Sequence, residues 1–323
     1  MKLTRRTVAV AALAFAAPFA ALAQAGYPNK PIRVIVPFAA GSTTDIIARA
    51  IADKMSASMG QQLVIDNRGG ASGTIGQAQV ATAAPDGYTI MVHSSSHTVS
   101  PHTFAKLPFD TEKDFVGVTP ISSTPNVLVM SPSKNIKTLG ELLAAARAKP
   151  GSMNFASAGQ GSATHLNAEK FKLAAKIEAT NIPFKGSAEA VTEVMAGRVD
   201  FACMGTSAAM PLILDGKLMA LAVSSPARSA ALPNVPTTLE AGLKDSDYNY
   251  WLGLFVPSKT PRAIVDRLYA ETQKALATPA VQDKFKPQGI EPLKMTSAEF
   301  DAMVKREVAS NIALVNAAKL KFN

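Results

Sequence analysis

The chain has 323 residues, a length that exceeds one ordinary domain. Its composition, 47% apolar and 18% charged, argues against a disordered protein. The net charge is +9, but no Lys/Arg cluster is interleaved with aromatic residues, so a nucleic-acid-binding protein is not expected. The single cysteine, Cys203, cannot form an intramolecular disulfide. Because it lies in an apolar run, we predict a small core residue rather than a nucleophile.

The first residues have the pattern of an export signal. Three basic residues lie within the first six positions, an apolar stretch of about 15 residues runs from Val8 to Leu22, and Ala21-Leu-Ala23 resembles a cleavage site. The stretch is shorter than the ~20 residues that span a bilayer. We therefore predict a signal peptide at 1–23, cleaved after Ala23 or alternatively after Ala25. The expected product is a periplasmic protein with a net charge of +6, a modest excess that favours small anionic ligands.

The mature chain begins with a strand, a loop of small residues and a helix. Residues 32–36 form a β-branched run typical of a strand buried on both faces. From Asp45 onward, apolar residues recur every four positions at Ile47, Ile51 and Met55, which predicts a helix. Ser42 and Asp45 have the spacing of a capping box. Such a helix start presents free backbone N–H groups to an anion.

The rest of the sequence alternates between predicted strands and helices, which indicates parallel α/β construction with right-handed crossovers. We predict strands at 62–66, 88–92, 126–130, 153–155, 178–184, 199–204, 218–224 and 249–256, with 110–121 beginning as a loop and ending as a strand. We predict helices around 75–80, 139–148, 165–171, 188–196, 262–277, 280–285 and 297–318.

Two of these strands, at 126–130 and 249–256, are placed to cross between two lobes, because a complete α/β series lies between them. We predict a two-lobed α/β protein whose second lobe is inserted into the first. Lobe 1 would comprise residues 26–125 plus 252–323, and lobe 2 residues 126–251. A cleft between such lobes is a natural ligand site, and loops at the carboxyl ends of parallel strands point into it.

Four loops of small or hydroxyl-bearing residues follow predicted strands. We expect the loops at 39–44, 94–96 and 158–164 to line the cleft and to bind a carboxylate through N–H and O–H donors. The loop at 69–73 is expected only to start a helix. Asp45 would repel an anion if it faced the cleft, so we expect the capping box to turn its carboxylate back along the chain.

Patterns for catalysis and for metal binding are incomplete in this sequence. His93 and His97 are four residues apart but lie in a Ser-rich segment without a clear helix, so zinc is not expected. The sequence contains no G-x-S-x-G, no G-x-x-x-x-G-K and no complete dinucleotide fingerprint. We therefore expect neither a cofactor nor an enzyme. A hydrolase that uses Ser162 and His165 is the enzymatic alternative.

A set of short motifs together resembles one known family. These segments are Tyr27–Ile32, Val36–Phe38, Gly41–Arg49, Asn67–Arg68, Ala71–Gly76, Pro85–Tyr88, Pro183–Gly186, Gly197–Asp200, Leu232–Thr237 and Trp251–Pro257. They cover nearly the whole mature chain. In combination they resemble the Bug-type periplasmic solute receptors, the extracytoplasmic component of tripartite tricarboxylate transporters.

The resemblance implies a periplasmic binding protein of type II, a Venus flytrap, without catalysis. It implies that loops of the first lobe hold a carboxylate while the second lobe closes on the other end of the ligand. Carried onto this sequence, it nominates as ligand contacts Phe38, Ala40, Ser42, Thr43, Thr44, Ser94 and Ser95 in lobe 1, and Ala158, Gly159, Ser162, Thr164, Lys185 and Gly186 in lobe 2.

Three features depart from the family pattern. Ser42 stands where the family usually has a second glycine, Gly69 stands where it often has a proline, and Ser94-Ser-Ser-His97 is not the commonest version of its segment. The ligand therefore stays open among di- and tricarboxylates, acidic amino acids, aromatic carboxylates and nicotinate-like acids. The expected partners are this acid and the permease subunits of the transporter, with the receptor itself a monomer. The alternative is a sensory protein whose closed form docks on a receptor kinase.

Overall fold

The computed structural model describes residues 26–320, so the predicted signal peptide lies outside the described residues. The strands are β1 (Ile32–Val36), β2 (Leu63–Asn67), β3 (Thr89–Ser94), β4 (Phe115–Ser123), β5 (Asn126–Met130), β6 (Met153–Ser157), β7 (Ala179–Pro183), β8 (Phe201–Gly205), β9 (Met219–Val223), β10 (Trp251–Pro257) and β11 (Glu291–Pro292). The helices are α1 (Thr43–Met59), α2 (Thr74–Ala81), α3 (Ser100–Thr103), α4 (Leu139–Ala148), α5 (Ala163–Ala175), α6 (Ser187–Met195), α7 (Thr206–Leu214), α8 (Arg262–Leu276), α9 (Pro279–Phe285) and α10 (Ser297–Ala317).

The strands form two separate mixed sheets. The first has the order β11-β4-β10-β3-β1-β2, with β1 parallel to β2 and β3, and β10 antiparallel to β3 and β4. The second has the order β7-β6-β8-β5-β9, with β6 parallel to β7 and β8, and β5 antiparallel to β8 and β9. Because β5 to β9 fall between β4 and β10 in the chain, the second lobe is inserted into the first, as predicted.

Both faces of the first sheet are covered. Val34 packs with Ile47 and Met55 of α1 on one face, while Ile35 packs with Phe255 and with residues of α10 on the other. Apolar residues along β1 are therefore buried whichever face they point to, which explains the uninterrupted β-branched run. The helix predicted from the four-residue spacing is confirmed as α1.

The second sheet is covered in the same way. Leu128, Phe201 and Cys203 pack against α4 and α5, while Val127 and Met204 pack toward α6 and α7. Burial raises the pKa of the Cys203 thiol, which disfavours the thiolate. The prediction that Cys203 is a core residue is confirmed.

Several local features differ from the prediction, among them the short strand β11, which was not predicted. Helix α7 was not predicted, because Pro211 interrupts its apolar run, yet the helix persists while Ala209 and Met210 pack into the core. The Ser-rich segment predicted as a loop contains a 3-10 turn at Ser95–Thr98 followed by α3. The strand expected within 110–121 is β4, which runs from Phe115 to Ser123. None of the helices within residues 26–320 has the length and apolar character needed to cross a membrane.

Candidate functional site

The start of α1 is held by its own side chains. Ser42 is the N-cap, and its Oγ accepts a hydrogen bond from the Asp45 N–H at 3.3 Å. The Asp45 carboxylate accepts bonds from the Gly41 N–H at 2.9 Å, from Asn67 at 2.9 Å and from Arg49 at 3.0 Å. Burial alone would raise the pKa of Asp45, but these three donors hold it below its usual value. Asp45 is thus an anion whose acceptor sites are occupied by its own lobe.

The start of α5 repeats this arrangement in the second lobe. Ser162 is the N-cap and accepts from the His165 N–H at 3.3 Å, while the Gly161 N–H donates to His165 Nδ1 at 2.8 Å. The Ala158 N–H donates to Thr164 Oγ1 at 2.8 Å. Gly41-Ser-Thr-Thr-Asp45 and Gly161-Ser-Ala-Thr-His165 are therefore two versions of one helix start. His165 Nδ1 is an acceptor, which places the ring proton on Nε2, 3.6 Å from Glu169 Oε1.

These two helix starts meet at a small cavity between the lobes, which we call the inner pocket. Its volume is about 10 Å³, enough for about one small polar group. Its wall contains both apolar side chains and side chains that carry a hydroxyl group. The lining residues are Phe38, Ser42, Thr44, Ser94, Ala158, Ser162, Ala163, Thr164, Ser187 and Tyr250. None of them carries a charge.

Tyr250, Ser187 and Ala163 are inner-pocket residues that the sequence did not nominate. Burial raises the pKa of the Tyr250 phenol to about 12, even though the neighbouring hydroxyl groups of Thr44, Thr43 and Ser94 act to lower it. Tyr250 is therefore protonated at neutral pH and has an O–H to donate. Ser187 begins α6 and follows a glycine, the same small-residue signal that marked the other two helix starts.

A larger cavity of about 430 Å³ adjoins the inner pocket, and we call it the outer groove. Phe38 and Ala158 line both spaces, so the two cavities are neighbours on either side of these residues. The outer groove is lined by Phe38, Gly70, Ala71, Ser72, Gly73, Phe104, Ala158, Gly159, Gln160, Pro183, Phe184, Lys185 and Glu189. The nominated residues Gly159 and Lys185 lie here.

The remaining nominated residues have other positions. Thr43 is buried beside Tyr250, and Ala40 is exposed and lines neither cavity. Ser95 lines a separate cavity of about 380 Å³, together with Lys170. Gly186 lies at the contact between the lobes, where an added Cβ would be 3.1 Å from the Ala39 Cβ.

The two lobes touch at several points around the inner pocket. The Ser72 hydroxyl donates to the Gln160 carbonyl oxygen, and Gly205 lies so close to Thr43 that an added Cβ would meet its Oγ1 at 2.6 Å. The loop at 69–73, which was expected only to start a helix, therefore also contacts the second lobe and lines the outer groove.

The ring Nδ1 atoms of His165 and His97 are both engaged by groups of their own lobes. His165 Nδ1 accepts from the Gly161 N–H, while the Ser162 hydroxyl lies 3.0 Å from Thr164 Oγ1. The imidazole is thus not positioned as a base for Ser162, which removes the geometric basis of the hydrolase alternative. His97 Nδ1 donates to Gln77 Oε1 at 2.8 Å inside the first lobe. No group of three or more metal-ligating side chains occurs among residues 26–320.

Comparison with known proteins gives a consistent result. The family model described as the tripartite tricarboxylate transporter family receptor, TctC, matches residues 47–320. A Pseudomonas sp. relative described as a UPF0065 protein in the tcbD-tcbE intergenic region is 41% identical, over 82% of this chain and 79% of the relative. The protein BugT of Bordetella pertussis is 34% identical, over 91% of this chain and 92% of BugT.

Solved structures with the same fold include the following examples, each more than 30% identical to this chain. The periplasmic binding protein BugD has a TM-score of 0.88 and 32% identity, with 92% of this chain and 100% of BugD covered. An R. palustris protein with adipate has a TM-score of 0.87 and 31% identity, with 91% and 98% covered. MatC from Rhodopseudomonas palustris with bound malate has a TM-score of 0.85 and 31% identity, with 90% and 100% covered.

Proposed function

The chain belongs to the tripartite tricarboxylate transporter receptor family, and from this premise we propose that it is an exported periplasmic receptor which captures a small organic carboxylate. The observation that carries the proposal is the convergence of two helix N-termini on the inner pocket. Each helix start carries a partial positive charge. An anion at the point where α1 and α5 meet would interact favourably with both.

Hydroxyl groups complete this anion site. Ser42, Thr44, Ser94, Ser162 and Tyr250 each bring an O–H to the wall of the inner pocket. A hydrogen bond to a charged acceptor contributes about 1.5–3 kcal/mol, so several such donors suffice without a basic side chain. We assign the contacts to the carboxylate to these five residues together with Thr164.

The proposal assigns supporting roles to the other nominated residues. Phe38 and Ala158 would contact the body of the ligand, and Gly159 and Lys185 the part that extends into the outer groove. Thr43 would position the Tyr250 hydroxyl. Ala40, Ser95 and Gly186 would shape the loops without touching the ligand. The adipate and malate named with two similar structures support a carboxylate as ligand.

We further propose that the lobes, residues 26–125 plus 252–323 and residues 126–251, open and close about the segments that join them. Two such segments run side by side, since the Thr124 N–H donates to the Tyr250 carbonyl oxygen at 2.8 Å. A ligand that contacts both lobes favours the closed form. In this proposal the closed receptor is a monomer without catalytic activity, which delivers the acid to a membrane permease.

A thermal-shift series tests the ligand class. A carboxylate that binds the native state raises the melting temperature with its concentration, whereas the matched amide does not. Ser94→Ala should weaken this effect, and Ser95→Ala, which changes an equally buried neighbour that lies outside the inner pocket, should leave it unchanged. Stabilisation by neutral sugars but by no carboxylate would contradict the proposal.

The partner is tested separately. Ligand-loaded receptor should stimulate uptake of the acid into vesicles that contain the transporter's permease subunits. A sensory role predicts instead that the loaded receptor binds a receptor kinase and leaves uptake unchanged.

A further inference from the structure

The outer groove has an aromatic wall. Phe38 follows β1, Phe104 follows α3 and Phe184 follows β7, so three separate elements from both lobes each place a phenylalanine in the lining of one cavity. The volume of about 430 Å³ lies within the range of small-molecule sites. Three rings around one space form a surface that suits a flat apolar group, because aromatic pairs stack offset or edge to face.

The charges of the outer groove nearly cancel. Among its lining residues, all within the described range, the charged side chains are those of Lys185 and Glu189. Glu189 Oε2 accepts from the Lys185 backbone N–H at 3.0 Å, which holds this carboxylate at the backbone of the segment that carries the lysine. A second carboxylate on the ligand would meet Lys185 but also the negative charge of Glu189. The groove is therefore poorly suited to a second anion.

The inner pocket, in contrast, concentrates its favourable interactions at one point. Both helix starts face the same space of about 10 Å³ rather than two separated sites. Because Phe38 and Ala158 line both cavities, a ligand whose carboxylate occupied the inner pocket would have its body next to them, on the side of the outer groove.

Resting on the proposed function, we propose that the ligand of this receptor is an aromatic monocarboxylate. Its carboxylate lies in the inner pocket between α1 and α5, and its ring lies in the outer groove among Phe38, Phe104 and Phe184. The receptor thus distinguishes aromatic acids from aliphatic diacids by the groove and not by the carboxylate site.

Titration calorimetry with three probes tests this assignment. The probes are 3-phenylpropanoate, 3-cyclohexylpropanoate and adipate. At a similar distance from one carboxylate, they carry an aromatic ring, a saturated ring and a second carboxylate, respectively. We expect 3-phenylpropanoate to bind at least about tenfold more tightly than adipate, with the saturated ring between them. Equal or tighter binding of adipate would overturn the inference and leave the proposed function standing. Failure of every carboxylate to bind would overturn both.

Variants of the outer groove test whether its phenylalanines are responsible for the preference for the aromatic acid. Phe104→Ala and Phe184→Ala should each weaken 3-phenylpropanoate by about tenfold and change adipate binding less than twofold, because only the aromatic acid uses the rings. Ser94→Ala should weaken both probes alike. Phe184→Leu keeps the apolar packing of this half-buried residue, so it still tests the ring if Phe184→Ala fails to fold. Equal losses for both probes in the Phe184 variants would contradict the assignment.

Discussion

At the scale of single residues, Asp45 and His165 occupy equivalent positions three residues after the two capping serines. Each accepts a hydrogen bond from a glycine N–H, Gly41 in one lobe and Gly161 in the other. Each helix start therefore gives two backbone donors to its own side chains, because the N–H of Asp45 or His165 also bonds to the capping serine. The side-chain donors among the residues that line the inner pocket are all hydroxyl groups.

Replacing Asp45 should affect stability more than ligand choice. Its side chain is 4% exposed and accepts bonds from Gly41, Arg49 and Asn67, so Asp45→Ala should lower the free energy of unfolding by about 2–4 kcal/mol. Urea unfolding measures this loss, and Asp45→Asn, which keeps the shape, should lose less. An unchanged unfolding free energy together with a selective loss of carboxylate binding would show that Asp45 acts on the ligand.

His97 should make the protein less stable in mild acid. Burial lowers its pKa from 6.5 to about 3, so between these values the unfolded chain binds a proton that the folded protein does not. Stability is therefore complete above about pH 6.5 and falls as the pH decreases, by about 2 kcal/mol between pH 7 and pH 5 for this residue.

A variant that does not titrate isolates this effect. His97→Asn can retain an N–H donor toward Gln77, and its free energy of unfolding should fall about 2 kcal/mol less than that of the wild type between pH 7 and pH 5. Burial and the neighbouring His97 also hold the pKa of His93 well below its usual value, so a smaller pH dependence remains in the variant. Identical pH profiles would mean that His97 is protonated in the folded state.

At the scale of elements, the two capped helices have both a structural and a binding role. Ser42→Ala and Ser162→Ala should each cost about 1 kcal/mol of stability through the lost cap, and should also weaken carboxylate binding about tenfold through the lost donor. Thr138 Oγ1 caps α4 by accepting from the Glu141 N–H at 3.1 Å. Thr138→Ala removes this cap and should affect stability alone. Binding losses as large in Thr138→Ala would indicate a general loosening of the fold.

Local signals explain what the sequence could predict about these elements. Ser42 lies beside the helix that it caps, and the spacing of Ile47, Ile51 and Met55 reports the buried face directly, so the first strand, loop and helix were predictable. Helix α7 was not, because Pro211 carries a helix-breaking signal that tertiary packing overrides.

Long-range proximity explains what the sequence could not predict about the site. Tyr250 reaches the Ser94 loop because β10 pairs with β3, and this pairing joins residues more than 150 positions apart. Ser95 follows Ser94 directly but points to another cavity, because the 3-10 turn begins between them. Residue type alone therefore does not predict that Ser94 lines the inner pocket and that Ser95 does not.

At the scale of the whole molecule, the proposed closure can be tested by joining the lobes. Gly186 has an extended backbone that accepts any residue, and its added Cβ would lie 3.1 Å from that of Ala39. A disulfide needs about 3.5–4.5 Å between Cβ atoms, so a shift of a few tenths of an ångström would admit one between Ala39→Cys and Gly186→Cys. The buried Cys203 thiol would not compete, since burial raises its pKa.

If ligand enters only when the lobes separate, oxidation of this double variant should slow carboxylate association at least about tenfold, and a reductant should restore the rate. Stopped-flow fluorescence of Trp251, which is fully buried at the start of β10, or competition with a fluorescent acid would measure that rate. The single variant Ala39→Cys controls for the substitution itself. Equal association rates before and after oxidation would mean that the ligand reaches the inner pocket without separation of the lobes at this edge, and closure would then have to be located elsewhere.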